Sequence, residues 1–446
     1  MSLIQRVKNF VIGKSRNPQD SAIFHKISLI AFFAWIGLGA DGLSSSCYGP
    51  QEAFLALGAH PYLSIFVALG TVFTIFVISA SYSQIVELFP GGGGGYLVAS
   101  KLLSPTLGMV SGCALLIDYV LTITVSIASG ADAIFSLLPI QYQAYKVIFA
   151  LAIVFILTLL NMRGIKESVL VLTPIFLTFI ATHLFMIFYV FHKNASSLGS
   201  LMAFTSTDLK STVSQLGIWG AIFLILKAYS MGAGTFTGIE AVSNSTSVLR
   251  EPKVKTAKKT MRYMAISLSI VVLGLMFSYL FYNVHLAPGK TLNAVLFEQI
   301  TAGWGSSGYI FVLIILLSEA TLLFVAAQTG FLGGPAVLAN MANDRWFPTR
   351  FSTLSDRLVT QNGVLIMGVF ALLLMMISGG SVKLLVILYS INVFITFVFS
   401  QAGMVRHWWG ERSQIKGWLK KISINGTGLI LCAFILVSMV VMKLRE

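Results

Sequence analysis

Long apolar runs recur along this chain, and they restrict its fold more than any other feature of the sequence. A helix needs about 20 apolar residues to cross a hydrocarbon layer about 30 Å thick, so each run predicts one membrane-spanning helix. Of the 446 residues, 56% are hydrophobic and only 10% are charged, which excludes an ordinary soluble domain. We predict eleven spans, near residues 28–57, 62–89, 107–135, 145–161, 169–192, 216–244, 262–285, 306–334, 362–379, 382–404 and 423–443.

The basic residues are distributed as a membrane topology would place them. If the chain starts on the inner side and crosses at each run, 22 of the 30 Lys and Arg fall in inner segments. This bias accounts for the net charge of +14 without a nucleic-acid partner. It predicts a multi-pass protein of the cytoplasmic membrane, with an inner amino terminus and with lipid as its surroundings.

Two of the predicted spans are interrupted by residues that favour breaks in a helix. The first interruption reads "GADGLSSSCYGPQEA" (Gly39 to Ala53), and the second, five spans later, reads "LKAYSMGAGTFTGIEAVSN" (226–244). Paired interruptions at corresponding places predict an inverted-repeat transporter, in which unwound backbone lines a central cavity. The predicted fold is therefore an all-α, five-plus-five membrane protein with discontinuous helices 1 and 6. Its expected parts are an inner tail (1–26), a first repeat (27–192), a second repeat (193–404) and a basic loop with helix 11 (405–446).

Ionisable side chains inside the predicted spans are costly in a membrane, so they are candidate functional groups. They are Asp41, Asp118, Asp132, Lys227, Glu240 and Glu319. Acids outnumber bases in this set, which favours a cation or a proton over an anion as the ligand.

Asp41 lies in the first interruption, beside the hydroxyl groups of Ser44, Ser45, Ser46 and Tyr48. Carboxylate, hydroxyl and unwound carbonyl oxygens are what a hard monovalent cation needs when it loses its water. The alternative is that Asp41 caps the second half-helix. The two roles are compatible, and we favour the cation or proton site.

In the third span, Asp118, Thr122 and Ser126 recur every four residues and so lie on one face of a helix. The two hydroxyl groups alone would be expected to bond to the preceding turn. With Asp118 at its head, the stripe is more typical of a site or a path. In the second interruption, Glu240 either accepts backbone amides or carries a proton, and both readings stay open.

Two further titratable residues have no obvious partner. Glu319 is either protonated, turned to a cavity or paired with a distant group, for which Lys227 is a candidate. His183, in the fifth span, is more typical of a hydrogen-bonded core histidine than of a ligand.

The chain resembles the amino acid–polyamine–organocation superfamily, whose fold is the LeuT-like five-plus-five repeat. Within it, the chain is similar to the potassium-uptake family with its KimA-type potassium/proton symporters. The resemblance rests on "DGLSSSCYGPQEA", "FPGGGGGYLVASK", "LLIDYVLTITVSIASGADAI", "NMRGIKES", "LKAYSMGAGTFTGIEAVSN" and "LYSINVFITFVFSQAGM", in this order.

The resemblance implies a potassium site between helices 1, 3, 6 and 10 and import of potassium coupled to protons, with no cofactor. The potassium-contacting residues that it implies are Asp41, Tyr48, Asp118, Thr122, Ser126, Thr237 and Tyr389. The carboxylates that it implies for proton coupling are Asp41, Asp118 and Glu240. The family also uses a twelfth helix and a carboxy-terminal dimerisation domain, whereas this sequence stops at "VVMKLRE". A homodimer therefore stays open, and cyclic di-AMP regulation is not carried over.

Other functions fit the sequence less well. An amino-acid permease of the same superfamily is the main alternative, but Asp41 would repel a substrate carboxylate unless it is protonated. A potassium channel would need a filter such as TVGYG, which the sequence lacks. A membrane enzyme would need a catalytic motif such as HExxH or GxSxG, and neither is present.

Overall fold

The computed structural model describes residues 29–163, 169–355 and 360–443. Within these ranges the regular structure is helical, apart from one β-bridge that joins Leu29 to Leu249. The helices are α1 (Ala31–Ser44), α2 (Gly49–Ala56), α3 (Ser64–Leu88), α4 (Gly94–Val98), α5 (Pro105–Phe135), α6 (Lys146–Met162), α7 (Val169–Lys193), α8 (Leu198–Met231), α9 (Ala241–Asn244), α10 (Lys253–Phe281), α11 (Leu292–Thr301), α12 (Ser306–Asn343), α13 (Gln361–Ser378), α14 (Val382–Gly410) and α15 (Trp418–Lys443). The predicted inner tail to residue 26 lies outside the described residues.

Ten helical segments in the described ranges are long and apolar enough to cross a membrane. The helices α1 and α2 have 14 and 8 residues, so neither could cross alone. Together they form one broken crossing, which makes eleven crossings with the ten segments, of which Ala195–Asn244 is itself interrupted. The predicted number of spans and the break in the first of them agree with the structure.

Two stretches that the sequence places outside the spans are helical. The basic stretch before the predicted seventh span is largely helical, because α10 already begins at Lys253. Similarly, α8 begins at Leu198, before the predicted sixth span, and it bends at Gly217, where φ is +73°. Apolar runs mark only the part of a helix that is surrounded by hydrocarbon, so they cannot reveal polar extensions.

The helix α1 lies between the two large groups of buried side chains. Ala34 packs into a cluster built mainly on α3 and α10, whereas Ile36 and Leu43 pack into a cluster built mainly on α5 and α12. Because both faces of α1 are covered by protein, its polar residues are enclosed by other helices. This position makes the interruption of the first span the centre of the molecule.

Candidate functional site

The first break is shorter than the sequence suggested. The helix α1 continues through Asp41 to Ser44, a 3₁₀ turn covers Ser45–Cys47, and Tyr48 is the non-helical residue before α2. Pro50 lies in the first turn of α2, where its missing N–H costs no helical hydrogen bond. The expectation that the helix unwinds at Asp41 is therefore wrong, and we define the first break as residues 45–48.

The serine hydroxyl groups support the end of α1. Ser44 Oγ donates to the carbonyl of Asp41 at 2.7 Å, and Ser46 Oγ donates to that of Leu43 at 2.7 Å. Ser45 Oγ lies 2.5 Å from the carbonyl of Gly42 and 3.1 Å from that of Thr235, in the second interrupted helix. These hydrogen bonds satisfy carbonyls that lose their helical partners at the break. The hydroxyl protons are used by the backbone, and the oxygen lone pairs stay available to a cation.

The second break joins α8 to α9 through residues 232–240. A 3₁₀ turn covers Gly232–Phe236, Thr237 is extended, and helix resumes at Ala241. Thr237 Oγ1 donates to the carbonyl of Gly234 at 2.6 Å, and the N–H of Gly238 donates to Glu240 Oε1 at 3.3 Å. Glu240 thus accepts a backbone amide of the unwound segment, which is one of the two roles considered from the sequence.

Glycines of the second break lie against both the end of α1 and the first break. Gly238 has φ +83°, and a Cβ added there would lie 2.5 Å from the backbone nitrogen of Gly42. A Cβ added at Gly234 would lie 3.1 Å from the ring of Tyr48 and 3.1 Å from Val386 of α14. Residues without a side chain are needed at this crossing because the backbones approach closely. The crossing fixes Asp41 and Tyr48 beside Thr237 and Glu240.

The predicted stripe on α5 faces this crossing. Thr122 Oγ1 donates to the carbonyl of Asp118 at 2.9 Å and lies 3.3 Å from the hydroxyl oxygen of Tyr389, on α14. Ser126 is buried one turn further along, and within the described ranges it makes no hydrogen bond to the other candidates. The structure therefore joins Thr122 to Tyr389 and leaves Ser126 near them but unconnected.

Three buried carboxyl groups lie within electrostatic range of one another where α5 and the interrupted helices converge. Asp118 is 1% exposed and lies within electrostatic range of Glu240 and Asp41, which are 5% and 6% exposed. None of the three forms an ion pair with a described Lys, Arg or His. Asp118 Oδ1 and Glu240 Oε2 are buried and lack a hydrogen-bond partner among the described residues. Oxygen atoms in this state would be stabilised by a cation or by a proton.

The first-break residues that contact the second break are the same ones that the sequence singled out. Tyr48 is close enough to Thr237 for their hydroxyl groups to interact. The N-cap residue of α2 is Tyr48, whose side chain makes no capping hydrogen bond, and the capping role considered for Asp41 stays a prediction. All of the candidate site residues are buried: Asp41, Tyr48, Asp118, Thr122, Ser126, Thr237, Glu240 and Tyr389.

Glu319 has a partner that the sequence did not identify. Its Oε1 lies 3.0 Å from Nε2 of His183, on α7, and 2.8 Å from Nδ2 of Asn293, on α11. The suggested partner Lys227 is not paired with it. Asp132, also considered from the sequence, forms an ion pair with Lys146 at the end of α5, at 2.5 Å. A helical pattern could not pair Glu319 with His183, because they are 136 residues apart.

Comparison with known proteins identifies the family of this chain. A family model described as "Amino acid permease" matches residues 26–444. The chain belongs to the amino acid permease family. With the helical structure, this membership confirms the predicted fold class, a five-plus-five transporter with broken first and sixth helices, in the amino acid–polyamine–organocation superfamily.

Two similar relatives of this permease-family chain are transporters. It is 32% identical over 442 residues to the potassium transporter KimA of Bacillus subtilis (strain 168). The aligned region covers 98% of this chain and 70% of the relative. It is 28% identical over 236 residues to the low-affinity putrescine importer PlaP of Escherichia coli (strain K12), which covers 51% of this chain and 46% of that relative. The chain is thus a multi-pass membrane protein similar to transporters of small solutes and ions.

Proposed function

We propose that this chain imports potassium ions together with protons across the cytoplasmic membrane, with its amino terminus inside. The observation that carries the proposal is that three buried carboxyl groups, those of Asp41, Asp118 and Glu240, lie within electrostatic range of one another. None of them has a basic partner among the described residues. A site of this charge attracts a cation and repels an anion. The 32% sequence identity to a potassium transporter, over an aligned region that covers 98% of this chain, supports the same cargo.

The proposed potassium ligands are side-chain oxygen atoms of seven buried residues. Asp41, Tyr48 and Thr237 lie on the two interrupted helices, and Asp118, Thr122, Ser126 and Tyr389 lie on α5 and α14. The proposed proton carriers are Asp41, Asp118 and Glu240. A proton bound to one carboxyl group relieves the repulsion among the three, and so does a potassium ion. Because there are three carboxyl groups, one can hold a proton while the others hold a potassium ion, so that both cargoes can occupy the site together.

Coupling to protons would provide the energy for accumulation. An inside-negative potential contributes about 2.3 kcal/mol per charge for every 100 mV. Two cations that enter together would use this contribution twice, so potassium could move against its concentration gradient.

Uptake by the full chain in proteoliposomes tests the proposal. Potassium, rubidium, putrescine and a panel of amino acids are compared under an imposed inward proton gradient. We expect potassium and rubidium to be taken up. Uptake of an amino acid or of putrescine, with none of potassium, would refute the proposed cargo.

A matched pair of variants on α5 tests the site itself. Asp118→Asn keeps the size of the side chain and removes its charge, so we expect loss of uptake with normal insertion in the membrane. Asp132→Asn is the control, because Asp132 lies 14 residues, or about 21 Å, further along the same helix and pairs with Lys146. Wild-type uptake by Asp118→Asn would exclude that carboxylate from the site.

A second candidate is a permease for an amino acid or a polyamine. It is supported by the description of the family model and by the similarity to a putrescine importer. A polyamine is a cation and would also be attracted by the three carboxyl groups. A zwitterionic amino acid fits less well, because its carboxylate would face Asp41.

A further inference from the structure

Glu319 and His183 form a polar cluster that the proposed potassium site does not use. Both side chains are 1% exposed, and they join α12 to α7. Asn293 of α11 donates to Glu319 Oε1 at 2.8 Å, and the hydroxyl group of Tyr279, on α10, donates to Asn293 Oδ1. The cluster therefore connects four helices through buried hydrogen bonds.

The partners of His183 determine where its hydrogen atoms can be. Its Nδ1 lies 2.9 Å from the carbonyl oxygen of Phe179. A carbonyl oxygen can only accept, so Nδ1 carries a hydrogen atom. The contact of 3.0 Å between Nε2 and Glu319 Oε1 then needs one more proton between the two atoms. That proton is on Nε2 as an imidazolium beside a carboxylate, or on Oε1 as a carboxylic acid beside a neutral imidazole.

Loss of this proton would leave a buried negative charge. The carboxylate of Glu319 would face the lone pair of Nε2, with Asn293 as its remaining hydrogen-bond donor. The rings of Phe179 and Phe297 lie against His183, with centroids 4.0 Å and 5.5 Å from its own. An uncompensated charge in apolar surroundings is strongly unfavourable. The cluster is therefore built to hold one proton.

The surroundings of the pair connect it to the first break. Cys47, in the first break, and Tyr279, on α10, are titratable side chains within electrostatic range of Glu319. The neighbouring helix α11 also contacts the outer half of the broken span, because the N–H of Leu292 donates to Gln51 Oε1 of α2 at 2.7 Å. A change at Glu319 can thus reach α2 through Asn293 and α11.

We propose that His183 and Glu319 form a proton-binding site, separate from the three carboxyl groups at the breaks, which holds a single exchangeable proton between α7 and α12. This inference rests on the proposed proton coupling and adds a second place where a proton acts. The proton moves between water and the pair without any change in covalent bonds. Release of the proton would leave the Glu319 carboxylate facing the lone pair of His183 Nε2, and this repulsion would destabilise the contact between α12 and α7.

Glu319→Gln in the full chain tests the site. The variant keeps the size of the side chain but removes the carboxyl group. The side chain at position 319 then carries no negative charge at any pH of the experiment. Glu298→Gln is the matched control, because Glu298 also belongs to this region but is 40% exposed and paired with Lys290. Thermal unfolding in detergent is measured from neutral to alkaline pH. We expect the wild type and Glu298→Gln to lose stability with rising pH more steeply than Glu319→Gln.

Uptake in proteoliposomes provides the functional reading. In Glu319→Gln we expect accumulation of the cargo under a proton gradient to fall about tenfold or more, while exchange at equal pH stays within about twofold of the wild type. If Glu319→Gln does not insert, His183→Gln is used with His192→Gln, an exposed residue of the same helix, as its control. We expect the same loss of gradient response in His183→Gln.

The results separate the two proposals. If uptake by the wild type does not depend on the proton gradient, the proposed coupling is refuted. The pH dependence of unfolding would still decide whether the pair of His183 and Glu319 binds a proton. Equal pH dependence of unfolding and of uptake in the wild type and in Glu319→Gln would overturn the proton-binding site. If the chain takes up a solute other than potassium, the proposed function is refuted. The comparison of Glu319→Gln with the wild type stays valid in that case.

Discussion

The crossing of the two breaks predicts a specific effect of adding one methyl group at Gly238. A Cβ there would lie 2.5 Å from the backbone nitrogen of Gly42 and 2.8 Å from the carbonyl carbon of Asp41. Backbone atoms cannot move aside as a flexible side chain can, so Gly238→Ala must push the second break away from α1.

The cost has two parts. A residue with a side chain at φ +83° costs about 1–2 kcal/mol. Overpacking against a rigid neighbour costs about 1–3 kcal/mol more. The expected loss of unfolding free energy is therefore about 2–5 kcal/mol, the sum of these two contributions.

Gly58→Ala separates the two contributions. Gly58 also has a positive φ, +57°, but a Cβ there would meet no atom within 4 Å. This control carries the backbone strain without the overpacking, so it should lose about 1–2 kcal/mol. The difference between the two variants, measured by denaturant unfolding in mixed micelles, should then be about 1–3 kcal/mol.

The same variants should differ in transport. Displacement of Gly42 also displaces Asp41, so uptake should fall in Gly238→Ala and persist in Gly58→Ala. Equal unfolding free energies for the two variants, within about 0.5 kcal/mol, would refute the close contact of the breaks.

Two further predictions concern contacts that hold the spans together. Tyr229→Phe removes a hydroxyl group that lies 2.5 Å from Thr74 Oγ1, and it should cost about 0.5–1.5 kcal/mol of unfolding free energy; Thr74→Val should then add little to it. Glu87→Gln breaks partly exposed ion pairs with Lys258 and Lys421, and it should cost about 1 kcal/mol or less at low salt. A cost of Glu87→Gln that does not shrink in high salt would contradict this interpretation.

Much of the candidate site could be predicted from the sequence, because a charge in an apolar run is conspicuous. Asp41, Asp118 and Glu240 stand out in this way, and all three are buried at the crossing. The glycines of "FPGGGGGYLVASK" form a tight turn and a close approach between backbone segments. Gly92, Gly93 and Gly94 have positive φ, and Gly92 and Gly94 lie against Asn244.

The exact position of the first break could not be predicted from composition. Glycine and serine are compatible with helix, and the hydroxyl groups of Ser44 and Ser46 bond to the backbone and let α1 continue past Asp41. The unwound part is therefore limited to the few residues before Pro50. Only the backbone geometry distinguishes this arrangement from an unwinding at Asp41.

The sequence by itself determined that the chain spans the membrane many times and breaks its first and sixth spans. It could do so because apolar length and helix-breaking residues are local properties. Only the tertiary structure decided which polar groups meet. Glu319 pairs with His183 rather than Lys227, and Asp132 pairs with Lys146 rather than joining the site. Such pairs join helices that are distant in sequence, and their identity depends on how the helices pack.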